Sequence, residues 1–216
     1  HNYVKKKSCI CMMRIIREKP DTVNTQELLS KVSDLMTENN IGVLLSVVCM
    51  LNVMALKYGE DVGGLTQYVI HALQRLVLHR TCPEEYMYFN TPCPWLQVKL
   101  LQTLGNLAPP EDPALRQKLQ EVLQRIITST AVSDSVNKSN ADHSIMIEAI
   151  NVAIAHGVDA YPVLTQDIMT HLGRFISVPE PNPRYLGLST MVKLAKVGGT
   201  QHLKRHRDTV LQSLKD

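Results

Sequence analysis

Residues 91–119 read TPCPWLQVKLLQTLGNLAPPEDPALRQKL, and this stretch sets the folding problem for the whole chain. Pro92 and Pro94 keep a helix from starting before Trp95, because each lacks a backbone donor and biases the residue before it away from helical geometry. From Trp95 onward, Leu96, Leu100, Leu104 and Leu107 recur at helical spacing, and Val98 and Leu101 widen the stripe. Pro109 and Pro110 end that helix. Asp112 is placed to cap a second one, and Pro113 suits its first position, where no donor is needed. Leu115, Leu119, Val122 and Ile126 give the second helix one apolar stripe. Two such helices joined by a tight turn form an α-hairpin, and the unit recurs along the chain.

The same periodicity predicts about ten helices, over residues 3–18, 25–38, 41–57, 62–80, 94–107, 113–128, 142–156, 161–177, 183–197 and 200–215. Almost nothing reads as a strand. The helices alternate in kind. Ile41 to Leu56 is nearly apolar all round and has to be covered on most sides. Leu164, Ile168, Leu172 and Phe175 mark the other kind, with one covering stripe and a solvated back. Comparable helices begin near Val4, Ile41, Trp95, Ser144 and Arg184. That spacing, about forty to fifty residues, suits helix-pair repeats of the HEAT or armadillo kind. The expected fold is an all-α solenoid spanning residues 1–216 as one segment with no internal domain boundary. Two longer loops interrupt it, Thr81–Pro92 with its YMYF cluster and the Ser/Asn-rich Thr128–Asp142, the second expected to be mobile.

Composition agrees. Apolar residues make up 44% of the chain and aromatics only 5%, a balance that favours helices packed on helices over a β-sandwich. The net charge of +3 is small and reads as spread out, which does not announce a nucleic-acid binder. No apolar run reaches the roughly 18 residues of a membrane span without polar interruption. Five cysteines, Cys9, Cys11, Cys49, Cys82 and Cys93, form no framework and suit a reducing compartment. The chain opens at His1 and closes at Asp216 in the middle of helical pattern, as expected of an interior piece of a longer polypeptide whose cut ends tend to self-associate.

The usual marks of catalysis are missing. There is no phosphate loop, no dinucleotide fingerprint, no H-E-x-x-H and no nucleophile elbow. Cys9 and Cys11 are two apart and point to different faces of a helix, so they make a poor metal pair. His71, His79, His156 and His171 fall at helix edges or ends and read as surface or half-buried helix residues. No catalytic, cofactor-binding or metal site is assigned, and no small-molecule substrate is expected. Two basic clusters, Lys5-Lys6-Lys7 and HLKRHR from His202 to Arg207, read first as solvated helix surface and second as contacts for acidic lipid or an acidic partner. Aromatic residues are too few to serve as stacking platforms for nucleic acid. The triplet Asn137-Lys138-Ser139 is a chance match to a glycosylation acceptor.

Several stretches resemble one family. VKKKSCICMMRIIREKPD (Val4–Asp21), NNIGVLLSVVCML (Asn39–Leu51) and PNPRYLGLSTMVKLA (Pro181–Ala195) are similar to repeats of the adaptins, the large subunits of clathrin adaptor complexes. YMYFNTPCPWLQVKLL (Tyr86–Leu101) and PPEDPALRQKL (Pro109–Leu119) look like the alpha type of the plasma-membrane adaptor. The gamma type of the Golgi and endosomal adaptor lacks the Pro-Pro-Glu-Asp-Pro turn. The Thr128–Asp142 loop and the wording around Gly59–Gly64 depart from familiar forms.

The resemblance implies an interior fragment of the adaptin trunk, a non-enzymatic scaffold. It would support cargo selection and coat assembly in clathrin-mediated endocytosis. The implied partners are the beta, medium and small adaptor subunits, with clathrin and phosphoinositide membrane reached through the whole complex. The implied location is cytoplasmic, peripheral on the plasma membrane at coated pits. The family's lipid and dileucine-signal sites lie nearer the N-terminus of its members and are not carried onto Lys5–Lys7. The alternatives are a gamma-type large subunit or an unrelated HEAT-repeat peptide-binding scaffold. The latter predicts a ladder of Asn or Trp on the inner helices, and Trp95 is the only tryptophan.

Overall fold

Polar side chains and prolines mark where the helices begin. Asn24 accepts from the Glu27 N–H at 3.3 Å, Asn40 from the Val43 N–H at 3.0 Å, and Ser135 from the Lys138 N–H at 3.4 Å. Each satisfies a donor that the first helical turn leaves unpaired. Asp112 does the same for the Ala114 N–H at 2.9 Å, with Pro113 as the first helical residue. The computed structural model describes residues 1–129, 135–178, 180–198 and 201–214. Its helices are α1 (Asn2–Glu18), α2 (Thr25–Met36), α3 (Ile41–Tyr58), α4 (Thr66–Val77), α5 (Pro94–Gly105), α6 (Pro113–Ser129), α7 (Val136–Ala155), α8 (Pro162–Ser177), α9 (Pro181–Gly198) and α10 (Arg207–Gln212).

They stack in two layers. The odd helices α1, α3, α5, α7 and α9 pack one against the next, and the even helices α2, α4, α6, α8 and α10 form the second layer against them. The five helices expected to be comparable from the sequence are the odd layer. The fold is the expected all-α solenoid of helix pairs. Helix α3 lies between α1 and α5 and on α2. It buries ten side chains, from Ile41 to Ala55, so protein neighbours consume the apolar surface of the most membrane-like stretch in the chain. The stripes Leu96–Leu100–Leu104 and Leu164–Ile168–Leu172–Phe175 are buried as expected.

The structure corrects four boundaries. The helix expected from residue 62 starts at Thr66, because Gly59–Leu65 forms a 3-10 turn. Gly59 there has φ +53°, and Gly63 and Gly64 weaken helix propagation. Helix α7 begins at Val136 rather than 142. The Ser135 cap and an i,i+4 ion pair between Lys138 and Asp142, at 2.6 Å, hold its first turns. The loop expected over Thr128–Asp142 is therefore helical from 136 on, while residues 130–134 lie outside the described residues. The last expected helix, 200–215, divides into a 3-10 turn, Gln201–His206, and the short α10. Here the His206 ring sits against Gly173 of α8, where an added Cβ would lie 2.5 Å from its Cε1. Finally, a small hairpin, β1 (Met87–Tyr88) with β2 (Thr91–Pro92), occupies the Thr81–Pro92 loop.

Polar bonds tie the layers in register. The Tyr58 hydroxyl donates to the Pro20 carbonyl at 3.0 Å. His156, at the end of α7, bridges two repeats. Its Nε2 lies 2.9 Å from the Leu104 carbonyl and its Nδ1 2.9 Å from the Tyr161 hydroxyl. A carbonyl only accepts, so Nε2 carries the proton and Nδ1 accepts from Tyr161. That arrangement is the neutral imidazole. Burial lowers the His156 pKa and raises that of the fully buried Tyr161 to about 12.

Two measurements check this packing. Folding excludes a proton that the unfolded His156 binds below its ordinary pKa of about 6.5. The stabilisation is complete above that value and is lost as pH falls toward the depressed folded pKa. His143, His171 and His206 are shifted the same way by burial. The urea midpoint is expected to drop between neutral and mildly acidic pH, and His156→Gln is expected to shrink the drop. The second concerns Gly187, where an added Cβ would meet Phe175 Cβ at 2.9 Å and Ile176 Cγ2 at 3.0 Å. Gly187→Ala is expected to cost about 1–3 kcal/mol by overpacking α8 on α9. Gly105→Ala, which meets nothing within 4 Å, should instead gain up to about 1 kcal/mol in helix propensity. Denaturant titration of both variants reads the contrast.

Candidate functional site

The clusters singled out in the sequence resolve into separate roles. Lys5 pairs with Glu38 at the end of α2. The Lys6 ammonium lies over Gly42 beside the Tyr86 hydroxyl, and Lys7 sits 5.4 Å from the Tyr3 ring centroid. The three lysines therefore share no common face. In the second cluster Leu203 packs on the core, His206 is half-buried, and Lys204, Arg205 and Arg207 are exposed; the His202 side chain lies outside the described ones. His71 and His79 are exposed, and His156 and His171 half-buried. Cys9 is buried and Cys11 exposed, as opposite helix faces require. Burial pushes the thiols of Cys9, Cys49, Cys82 and Cys93 up, which suits small apolar residues and not nucleophiles. Among the described residues, no group of three His, Cys, Asp or Glu side chains is placed to hold a metal ion.

The surface feature with most structure behind it is the β1–β2 hairpin. Met87 pairs with Pro92 and Tyr88 with Thr91, leaving Phe89 and Asn90 as a two-residue turn. Both have positive φ, +43° and +63°, as a type I′ turn demands. Asn tolerates that region. Phe does so at a cost of about 1–3 kcal/mol, and its ring is left 48% exposed at the tip. Three helices hold the hairpin in this shape. Arg80, just past α4, donates from Nη2 to the Asn90 carbonyl at 2.7 Å and to its Oδ1 at 3.1 Å. Gln97 of α5, itself buried, donates to the Pro92 carbonyl at 2.6 Å. Thr91 donates to Asp142 of α7 at 2.8 Å. Cys93 enters α5 in the left-handed region, φ +37°.

The hairpin aims an aromatic cluster outward. Tyr88 meets Phe89 and Trp95 edge to face, with centroids 4.8 and 5.0 Å apart. Trp95 is 58% exposed, although it opens a helix whose following leucines are fully buried. Beside it lies a groove of about 550 Å³ lined by Leu45, Cys49, Tyr88, Pro94, Trp95 and Val98. Lys99 of α5 and Asn137 and Asn140 of α7 complete its polar lining. Sequence reading marked YMYF only as part of a loop. The Phe-Asn pair between two short apolar stretches was the signal for a hairpin.

Charge is not spread out as the sequence suggested. The five odd helices carry eleven basic residues and three acidic ones. The described residues outside the helices carry ten acidic against four basic. A small net charge thus conceals a strongly basic layer. That layer also holds a row of amides near its other end. Asn106 donates to Asn52 at 2.9 Å, Gln102 to Glu148 at 2.8 Å, and Lys193 to Asn151 at 3.1 Å. These amides are engaged across helices, Asn52 and Asn106 with each other, Gln102 with Glu148 and Asn151 with Lys193.

The sequence matches the family described as "Adaptin N terminal region" over residues 1–216. It is 37% identical over 214 residues to AP-2 complex subunit alpha-1 of Arabidopsis thaliana, covering 99% of this chain and 21% of that protein. It is 30% identical over 223 residues to AP-2 complex subunit alpha of Schizosaccharomyces pombe, covering 99% and 24%. Against AP-1 complex subunit gamma-1 of the same yeast the figure is 28% over 223 residues, covering 100% and 24%. The chain spans between a fifth and a quarter of the length of these relatives.

The hairpin's strain gives a test. Phe89→Gly removes a left-handed non-glycine residue at a place where glycine is preferred. Thermal unfolding is expected to show an unchanged or higher midpoint, while the exposed ring is lost. A clear drop in midpoint would mean that the Phe89 ring contributes more to the fold than its exposure indicates.

Proposed function

Because the chain belongs to the adaptin N-terminal region family, we propose that it is a stretch of the trunk of an alpha-type large subunit, a scaffold segment of a clathrin adaptor complex. The observation that carries this reading is the family match along all 216 residues, on a chain whose helices stack in the two layers of a solenoid. The alpha assignment is supported by the 37% identity to the Arabidopsis thaliana alpha subunit and by the Pro109–Pro113 turn. The gamma type is the alternative.

On this reading the chain does no chemistry. Its contribution is shape. Stacked helix pairs make a stiff wall, and each pair leans mainly on its neighbours. The wall positions the beta, medium and small subunits of the plasma-membrane adaptor. The assembled complex then meets clathrin and phosphoinositide membrane at coated pits on the cytoplasmic side. Exposed apolar residues at the two ends of the stack, Tyr3, Val4 and Ile10 on α1 and Tyr185, Val192 and Val197 on α9, are the faces on which further repeats of a longer solenoid pack.

The test is affinity purification of the tagged full-length parent with mass spectrometry of what accompanies it. Beta, medium and small subunits of the plasma-membrane adaptor, together with clathrin, are the expected result. Golgi-adaptor subunits would move the assignment to gamma. Recovery of transport cargo or a phosphatase without any adaptor subunit would leave the solenoid fold and remove the function.

A further inference from the structure

The aromatic groove lies in the odd layer, where Lys99 of α5 lines it and Lys6 and Arg17 of the neighbouring α1 carry further positive charge. We propose that the groove between α3, α5 and α7, under the β1–β2 hairpin, is a docking site for an acidic peptide segment of a partner protein that inserts one bulky apolar side chain beside Trp95.

Charge complementarity selects the occupant. Lys99 and Cys49 both line the groove; Lys99 donates to the neutral Gln102 Oε1 at 2.8 Å, and burial raises the Cys49 thiol while the nearby charges of Lys99 and Arg17 oppose that rise. Lys6 stands at the start of α3 next to Tyr86. Among the described residues none of these three cations has a carboxylate at ion-pair distance; the ion pairs join Lys5 to Glu38, Lys31 to Glu27, and Lys138 to Asp142. The layer's own carboxylates nearby are already engaged, Asp142 by Lys138 and Thr91 and Glu148 by Gln102 and Asn151. Negative charge arriving here meets cations that no internal anion neutralises.

The groove itself favours a peptide over a lipid surface. Its walls are aromatic and aliphatic, and a recess of about 550 Å³ suits a buried anchor of the kind that concentrates binding energy at interfaces. Asn137 and Asn140, both exposed and lining the groove, offer amides for the carbonyls and N–H groups of an extended chain. A headgroup site needs several cations converging on a point, whereas Lys99 is the one charged residue that lines this groove. The position matters as well. Tyr88, Phe89 and Trp95 lie in the middle of the chain, away from the end helices that a further repeat would cover. The hairpin that supplies two of these rings is held by three helices in a strained turn, which is the kind of backbone outlier found at ligand clamps.

The experiment selects random dodecapeptides displayed on phage against the 216-residue chain. Selected peptides are then titrated by the fluorescence of Trp95, the only tryptophan. The expected peptides are rich in Asp and Glu around a Phe, Trp or Leu, and they change Trp95 emission saturably. Their affinity is expected to fall with added salt and to drop roughly tenfold or more in Lys99→Glu or Arg17→Glu. Tyr88→Ala, which keeps the fluorophore, should weaken binding through the lost wall. Circular dichroism shows whether each variant folds, and Lys99→Gln gives the milder version should the reversal unfold. Neutral or basic winners, no enrichment, or winners bound equally by the charge variants would overturn the proposal. So would a Trp95 response to vesicles of phosphatidylcholine and phosphatidylinositol bisphosphate with no peptide selected, which assigns the face to lipid. The proposal does not rest on the adaptor assembly, so co-purification and peptide selection can fail separately.

Discussion

Everything in this molecule hangs on the burial of α3. A helix apolar on nearly all sides has no stable surface of its own, and it forces protein onto its flanks. Helices α1, α2 and α5 supply that cover, and each then needs cover for its own stripe. Repetition follows from the physics of one helix handed along the chain. Because every element leans on near neighbours in sequence, the stack needs no closing contact between its ends.

The polar contacts between repeats serve a different purpose from the apolar ones. Apolar stripes tolerate a slip of one helix along another far better than a hydrogen bond does. His156 fixes α7 against the carbonyl end of α5 and against the start of α8 through Tyr161. Tyr58 likewise fixes the end of α3 to the turn at Pro20. These bonds sit where helices end, whereas Gln102–Glu148 and Lys193–Asn151 join neighbouring helices along their length.

The stripes were legible in the sequence because their period is a direct geometric consequence of 3.6 residues per turn. Leu96 through Leu104 and Leu164 through Phe175 needed no tertiary information. The failures have a common cause. Ser135 to Asp142 is polar, and its helix is made by a cap and an ion pair instead of a stripe. The glycines at 59, 63 and 64 shift a boundary that the apolar pattern crosses without a break. Trp95 reads as the first core residue of α5, but the β1–β2 hairpin occupies the near side and leaves its ring outward. None of the hairpin's three tethers, Arg80, Gln97 and Asp142, is local enough for the sequence to announce. The groove was invisible for the same reason, since α3, α5 and α7 each contribute only part of it.

The separation of charge between the odd helices and the connecting segments has a consequence for how the molecule is perceived at a distance. Electrostatic influence in a physiological medium decays over about 8 Å, comparable to the 8–10 Å between packed helix axes. A body approaching the odd face therefore senses local lysines and arginines more than distant carboxylates, Lys5 excepted, which Glu38 of a connecting segment pairs. Its encounter is governed by a surplus of eight positive charges on those five helices more than by the net +3 of the chain. Diluting the salt lengthens the screening distance until rim and face blur into one weak monopole, so ionic strength alters the orientation in which this protein meets a charged surface.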